Sequence, residues 1–126
     1  MKLTAPIGRT RWAIAEGYIP AESHGQTPQL ESHETFCVLN VSDIDAVLEV
    51  TVFFAEREPA GPYRFTVGAR RTRHIRFNRF RNPEPIPRDT DFASLIEANV
   101  PVVVQHSRLD SRQSPLALMT TLAFPG

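Results

Sequence analysis

The sequence predicts an all-β fold: a single-domain β-sandwich of short antiparallel strands with little helix. Three observations predict it. Eleven prolines interrupt 126 residues, above the usual share of about 5%, and an interior proline costs a helix about 3 kcal/mol. Strand formers alternate with polar residues, most clearly from Ala46 to Ala55. Turn residues return about every 8–12 positions, the rhythm of a sandwich.

Each element follows from local chemistry. Arg11–Ala15 is a short apolar run closed by Glu16 and Gly17, and residues 20–30 form a polar loop with Gly25 and Pro28. Glu34–Asn40 is rich in strand formers, and Ser42-Asp43-Ile44-Asp45 turns the chain because Ser and Asp side chains bond their own backbone. In Ala46–Ala55, Leu48, Val50, Val52 and Phe54 share one face, while Val47, Glu49, Thr51 and Phe53 share the other. Glu58–Pro62 predicts a turn, and Tyr63–Val67 and Thr72–Phe77 predict strands. In the second of these Ile75 and Phe77 face inward, and Thr72, His74, Arg76 and Asn78 face outward. Pro83–Pro87 is an extended link. Phe92–Ala98 reads as a strand, with a helix packed through Phe92, Leu95, Ile96 and Asn99 as the alternative. Asn99-Val100-Pro101 then turns into Val102–His106, and Thr120–Phe124 closes the fold.

Composition narrows the function classes. The chain has 14.2 kDa, 41% hydrophobic and 22% charged residues, which fits one globular domain spanning 1–126. The single cysteine, Cys37, rules out an internal disulfide framework and an all-cysteine zinc site. It lies between Phe36 and Val38 and reads as a buried small hydrophobe. No apolar run approaches the roughly 20 residues of a spanning helix, and the opening Met1–Pro6 does not have the form of a signal peptide. The expected location is the cytoplasm.

Net charge is +0, but it is unevenly spread. Eight acids and one base, Arg57, lie between Glu22 and Glu58; seven arginines and no acid lie between Pro59 and Pro83. Either the two stretches neutralise each other in a sheet, or the second forms a basic face for an anionic partner. Tyr63, Phe77 and Phe80 would supply stacking for nucleic acid. However, nucleic-acid grip favours a pI above about 9, and here it is ≈ 6.9.

Five strings carry a resemblance. Ile7-Gly8-Arg9-Thr10-Arg11-Trp12-Ala13-Ile14-Ala15-Glu16-Gly17-Tyr18-Ile19-Pro20 resembles the opening of the sensory rhodopsin transducer family. Ser32–Thr35 with Gly61–Arg64, Asp89–Ser94, and Val104–Gln113 follow in register. The resemblance implies a small soluble β-sandwich, a homotetramer, and a role coupling a membrane photoreceptor, a sensory rhodopsin, to a soluble output. It also implies carbohydrate or DNA as alternative ligands, and it brings no catalytic residue.

The chemistry of the residues agrees with binding rather than catalysis. His33, His74 and His106 lie on separate segments and lack ligand spacing. Ser107 and Ser111 lack a nucleophile elbow. The sequence thus points to no catalytic residue, no metal and no cofactor. Arg108-Leu109-Asp110-Ser111-Arg112-Gln113 is the densest polar string, suited to an anion or sugar hydroxyls, or to an internal Arg–Asp network. Trp12 offers an aromatic platform or core packing, with Glu16 and Tyr18 on its parity. The candidate ligand site is therefore Trp12, Glu16, His106, Arg108, Asp110 and Arg112. The expected function is a signal-transduction adaptor or small-ligand receptor; the alternatives are a carbohydrate-binding module and a DNA-binding regulator.

Overall fold

The computed structural model describes residues 5–113 and 115–126. Most of the Met1–Pro6 opening therefore lies outside the described residues. The strands are β1 (Arg9–Tyr18), β2 (His33–Asn40), β3 (Ala46–Phe54), β4 (Ala60–Val67), β5 (Arg71–Arg76), β6 (Asp91–Asp110), β7 (Ala117–Leu122) and β8 (Phe124–Pro125). One 3-10 turn, Phe77–Arg79, follows β5. Among the described residues no helix is long and apolar enough to cross a membrane.

All pairings are antiparallel, as expected. One layer runs β4-β3-β6-β1-β8, and the other places β5 beside β2, β2 beside β6, and β7 on the far side of β6. Strand β6 belongs to both layers. Its first half pairs with β3 from Phe92 to Ala98, and its second half pairs with β2 from Val103 to Leu109.

This strand corrects one expectation. Asn99-Val100-Pro101 is not a turn; β6 runs unbroken for 20 residues. Pro101 lies between the β3-paired and the β2-paired halves, where neither strand needs its missing N–H. Not every strand is short, and the helical alternative for Phe92–Ala98 is also excluded. A second correction concerns Glu58–Pro62. Strand β4 already begins at Ala60, and Gly61 and Pro62 oppose Thr51 alone as a β-bulge between the Val50–Tyr63 and Val52–Ala60 pairs.

The core fills from the alternation. Leu48, Val50 and Val52 of β3 have no exposed surface, while Val47 and Phe53 on the opposite face are 46% and 41% exposed. Phe36 of β2 meets Phe65 of β4 across the layers, and Phe77, Phe80, Tyr63 and Phe92 complete an aromatic cluster with ring centroids 4.6–6.3 Å apart. Tyr63, Phe77 and Phe80 are thus core and offer no stacking face to nucleic acid. Ile75 and Phe77 face inward as predicted, but Asn78 is buried too, because the 3-10 turn ends the strand alternation at Phe77.

Candidate functional site

Alternation that makes a core on β2 also puts a carboxylate into it. Glu34 shares its face with Phe36 and Val38, and its side chain is fully buried. On β6, His106 and Arg108 share the face of Val102 and Val104, and the register sets Phe36 opposite His106 and Glu34 opposite Arg108. Three residues from two neighbouring strands therefore converge between the layers.

Their contacts are dense. His106 Nε2 meets Glu34 Oε1 at 2.5 Å. Arg108 Nε donates to Glu34 Oε2 at 2.7 Å, and its NH2 sits 2.6 Å from the same oxygen without hydrogen-bond alignment. The backbone N–H of Tyr18 donates to Oε2 at 2.8 Å, and Arg108 NH1 reaches outward to Glu16 Oε1 at 3.1 Å. Burial works against the Arg108 charge, but the hydrogen bond and charge of Glu34 outweigh it and raise its pKa above the ordinary value. A carboxylate removed from water requires this number of donors, since an unpaired buried charge is costly.

A neutral layer surrounds the ionic one. Asn78 Oδ1 accepts from the Glu34 N–H at 3.2 Å, and Asn78 Nδ2 donates to Ser32 O at 3.0 Å. Ser32 Oγ lies 3.1 Å from Ser111 Oγ and accepts the Ser111 N–H at 2.9 Å. These bonds fasten the polar loop that precedes β2 to the end of β6.

At the rim, Asp110 and Arg112 form a bidentate pair, with Nε donating to Oδ1 at 3.0 Å and NH2 to Oδ2 at 2.6 Å. The Arg112 guanidinium hydrogen-bonds to Asp110, which lowers the Asp110 pKa and raises that of Arg112. The same guanidinium lies 5.7 Å over the Tyr18 ring. An open cleft of about 630 Å³ is lined here by Glu22, Asp110, Arg112, Gln113, Pro115 and Ala117.

The six expected site residues divide into three groups. Glu16, His106 and Arg108 come together around Glu34, and Asp110 and Arg112 edge the cleft. Trp12 stands apart: it is 4% exposed, and its indole N–H donates to Val102 O at 2.9 Å. It is core and gives no open platform in this chain. The expected shared parity of Trp12, Glu16 and Tyr18 also fails, because β1 shifts register between Ile14 and Gly17.

Glu34, Asn78, Ser32 and Ser111 were not legible as one cluster. For Glu34 the signal existed, since it is two residues from Phe36 and four from Val38, on the inward parity. Among the described residues no three His, Cys, Asp or Glu side chains converge as a metal site. His33 Nδ1 is bonded to Glu31 O at 2.7 Å, and burial lowers its pKa. Cys37 is half-buried rather than buried, because it faces away from Phe36 and Val38; burial still raises its pKa.

Known proteins agree with this architecture. The family model described as "Anabaena sensory rhodopsin transducer" matches residues 7–125. No curated protein matches the chain. Among solved structures, the Anabaena sensory rhodopsin transducer is 60% identical, with a TM-score of 0.75 over 82% of this chain and 99% of that one. The Thermotoga maritima protein 1070 is 30% identical, with a TM-score of 0.86 over 96% of this chain and 97% of that one. A family match across nearly all of the sequence, joined to a 60% identical solved structure, leaves one assignment: the chain belongs to the Anabaena sensory rhodopsin transducer family.

Proposed function

We propose that this chain is a cytoplasmic signal-transducing adaptor, one domain over its 126 residues, that acts by binding and not by catalysis. Its upstream partner is a membrane photoreceptor of the sensory rhodopsin kind. The observation that carries this reading is the 60% identity to a protein named for that role.

The contact surface in this reading is the rim formed by Glu16, Asp110 and Arg112. Arg108 links rim to interior, holding exposed Glu16 with one nitrogen and buried Glu34 with another. A partner that recruits Glu16 or Arg112 alters the balance at a group fixed to β2 and β6, which couples binding to the packing of both layers. Assembly into a homotetramer belongs to the same proposal. Val47 and Phe53 on one layer, and Leu118 at 75% and Leu122 at 56% exposure on the other, are apolar surface that assembly would cover.

A test immobilises a sensory rhodopsin in lipid nanodiscs and titrates the purified chain, with light scattering to give its mass. Saturable binding by a tetramer is the expected result. A monomer at micromolar concentration removes the assembly claim, and no binding removes the photoreceptor claim.

One observation favours a second reading, carbohydrate recognition: the cleft edged by Glu22, Asp110, Arg112 and Gln113 is rich in hydroxyl-binding groups. A thermal-shift screen against sugars separates the two readings.

A further inference from the structure

We propose that the free edge of β5 accepts an acidic, extended peptide segment as an added strand. The proposal goes beyond the adaptor reading and does not use the Glu34 cluster or its rim.

Among the described residues, strand β5 pairs with β2 alone, on one side. Of its six residues only Ile75 is buried, and Arg71, Thr72, Arg73 and His74 are exposed. Its outer edge therefore presents backbone N–H and C=O groups that another strand can satisfy.

Charge selects the strand. Arg64 and Arg70 are neutralised by Glu49 and Asp43 of the acidic stretch. Arg71, Arg73, Arg76, Arg79 and Arg81 have no carboxylate within bridging distance among the described residues. Four of them end on carbonyl oxygens instead. Arg73 NH1 donates to Thr66 O at 2.8 Å, Arg76 NH1 to Pro28 O at 3.0 Å, Arg71 NH1 to Arg70 O at 3.1 Å, and Arg81 NH1 to Phe80 O at 2.8 Å. Carbonyls position a guanidinium without neutralising it. The chain as a whole is neutral, so this strand is a local excess of positive charge beside an open edge.

Peptide chemistry fits better than nucleic acid. Tyr63, Phe77 and Phe80 are at most 2% exposed and cannot stack on bases, and the half-buried Phe65 ring is already covered by the Arg73 guanidinium at 5.6 Å. Arg71 and Arg73 lie two residues apart on one face of β5. An antiparallel strand with acids at alternate positions meets them at the repeat of roughly 6.5–7 Å that every second residue makes. Guarding the edge by charge alone is the competing explanation.

The test uses the full chain and fluorescent, end-blocked EVTETE, whose acids oppose Arg76, Arg73 and Arg71 when it runs antiparallel to β5. Anisotropy should rise saturably, weaken as salt screens the charges, and be accompanied by slowed amide exchange confined to β5. The double variant Arg71→Ser, Arg76→Ser should bind about tenfold more weakly, which is ~1.4 kcal/mol, with an unchanged melting temperature. If the variant does not fold, the neutral peptide TVTTTT gives the same comparison on wild-type protein. N-methylation of alternate peptide nitrogens should abolish binding. Equal binding of the methylated peptide overturns strand addition. No binding of EVTETE, or binding of a 20-base-pair DNA duplex but not of the peptide, overturns the proposal.

Discussion

Phe36 and Glu34 stand two residues apart on the same inward face of β2, both without exposed surface, yet they occupy different kinds of interior. Phe36 lies among Phe65, Phe77 and Phe80 at centroid distances of 5.1–6.3 Å. Glu34 lies among His106, Arg108, the Tyr18 N–H and Asn78. The aromatic region is held by area and dispersion, which have no direction and tolerate a change of shape if volume is kept. The Glu34 region is held by donors aimed at two oxygen atoms, and it tolerates no loss of a single partner. One strand thus carries both a packing surface and a latch.

The sharpest contrast comes from truncation. Arg108→Ala strips Glu34 of its counter-charge, and removing one partner of a buried pair costs about 3–5 kcal/mol. Urea unfolding measures the loss. A double-mutant cycle with Glu34→Gln should give a coupling of about 0.5–3 kcal/mol; additive losses would mean that the two side chains do not act as a pair.

Asn78→Ala should be next in size. It leaves the Glu34 N–H and the Ser32 carbonyl without partners, at about 1–3 kcal/mol for an unsatisfied buried group. In the apolar layer, Leu48→Met keeps volume and should cost less than about 1.5 kcal/mol. If Leu48→Met proves as damaging as Asn78→Ala, the contrast between the two regions is wrong.

The smallest expected effect is a pH dependence. Burial lowers the His33 pKa from 6.5, so below that pH the unfolded chain takes up the proton first. The His33 contribution is complete above pH 6.5 and falls as pH drops toward the folded-state pKa. His33→Gln should flatten stability over that interval, and an unchanged slope would remove His33 as its source. Cys37 gives a companion observation. Its raised pKa predicts slow labelling by a thiol reagent in the native protein, although the side chain is only half-buried.

What the sequence made legible follows the same division. Alternation located β3, its two faces and the inward Ile75 and Phe77, because packing obeys a period of two. It did not reveal that β6 is one strand, since Pro101 has the local chemistry of a turn and only the change of partner strands makes it harmless. His106, Arg108, Asp110 and Arg112 stood out as a dense polar string. Their division into an interior pair and a rim pair depends on the register of β2 against β6, which no single segment encodes. Trp12 was open to both core and site in the sequence. The matter was decided by the carbonyl of Val102, 90 positions away.

In the function proposed above, the rim and not the Glu34 latch meets the photoreceptor. This contact is tested most directly by titrating wild type and Arg112→Ala against a sensory rhodopsin in lipid nanodiscs. Arg112 is half-exposed and bonded to Asp110 at the surface, where ion pairs contribute little to stability. Arg112→Ala should leave melting temperature and assembly unchanged, with binding weakened about tenfold, ~1.4 kcal/mol. Wild-type binding by the variant, or collapse of its fold, would contradict the rim contact.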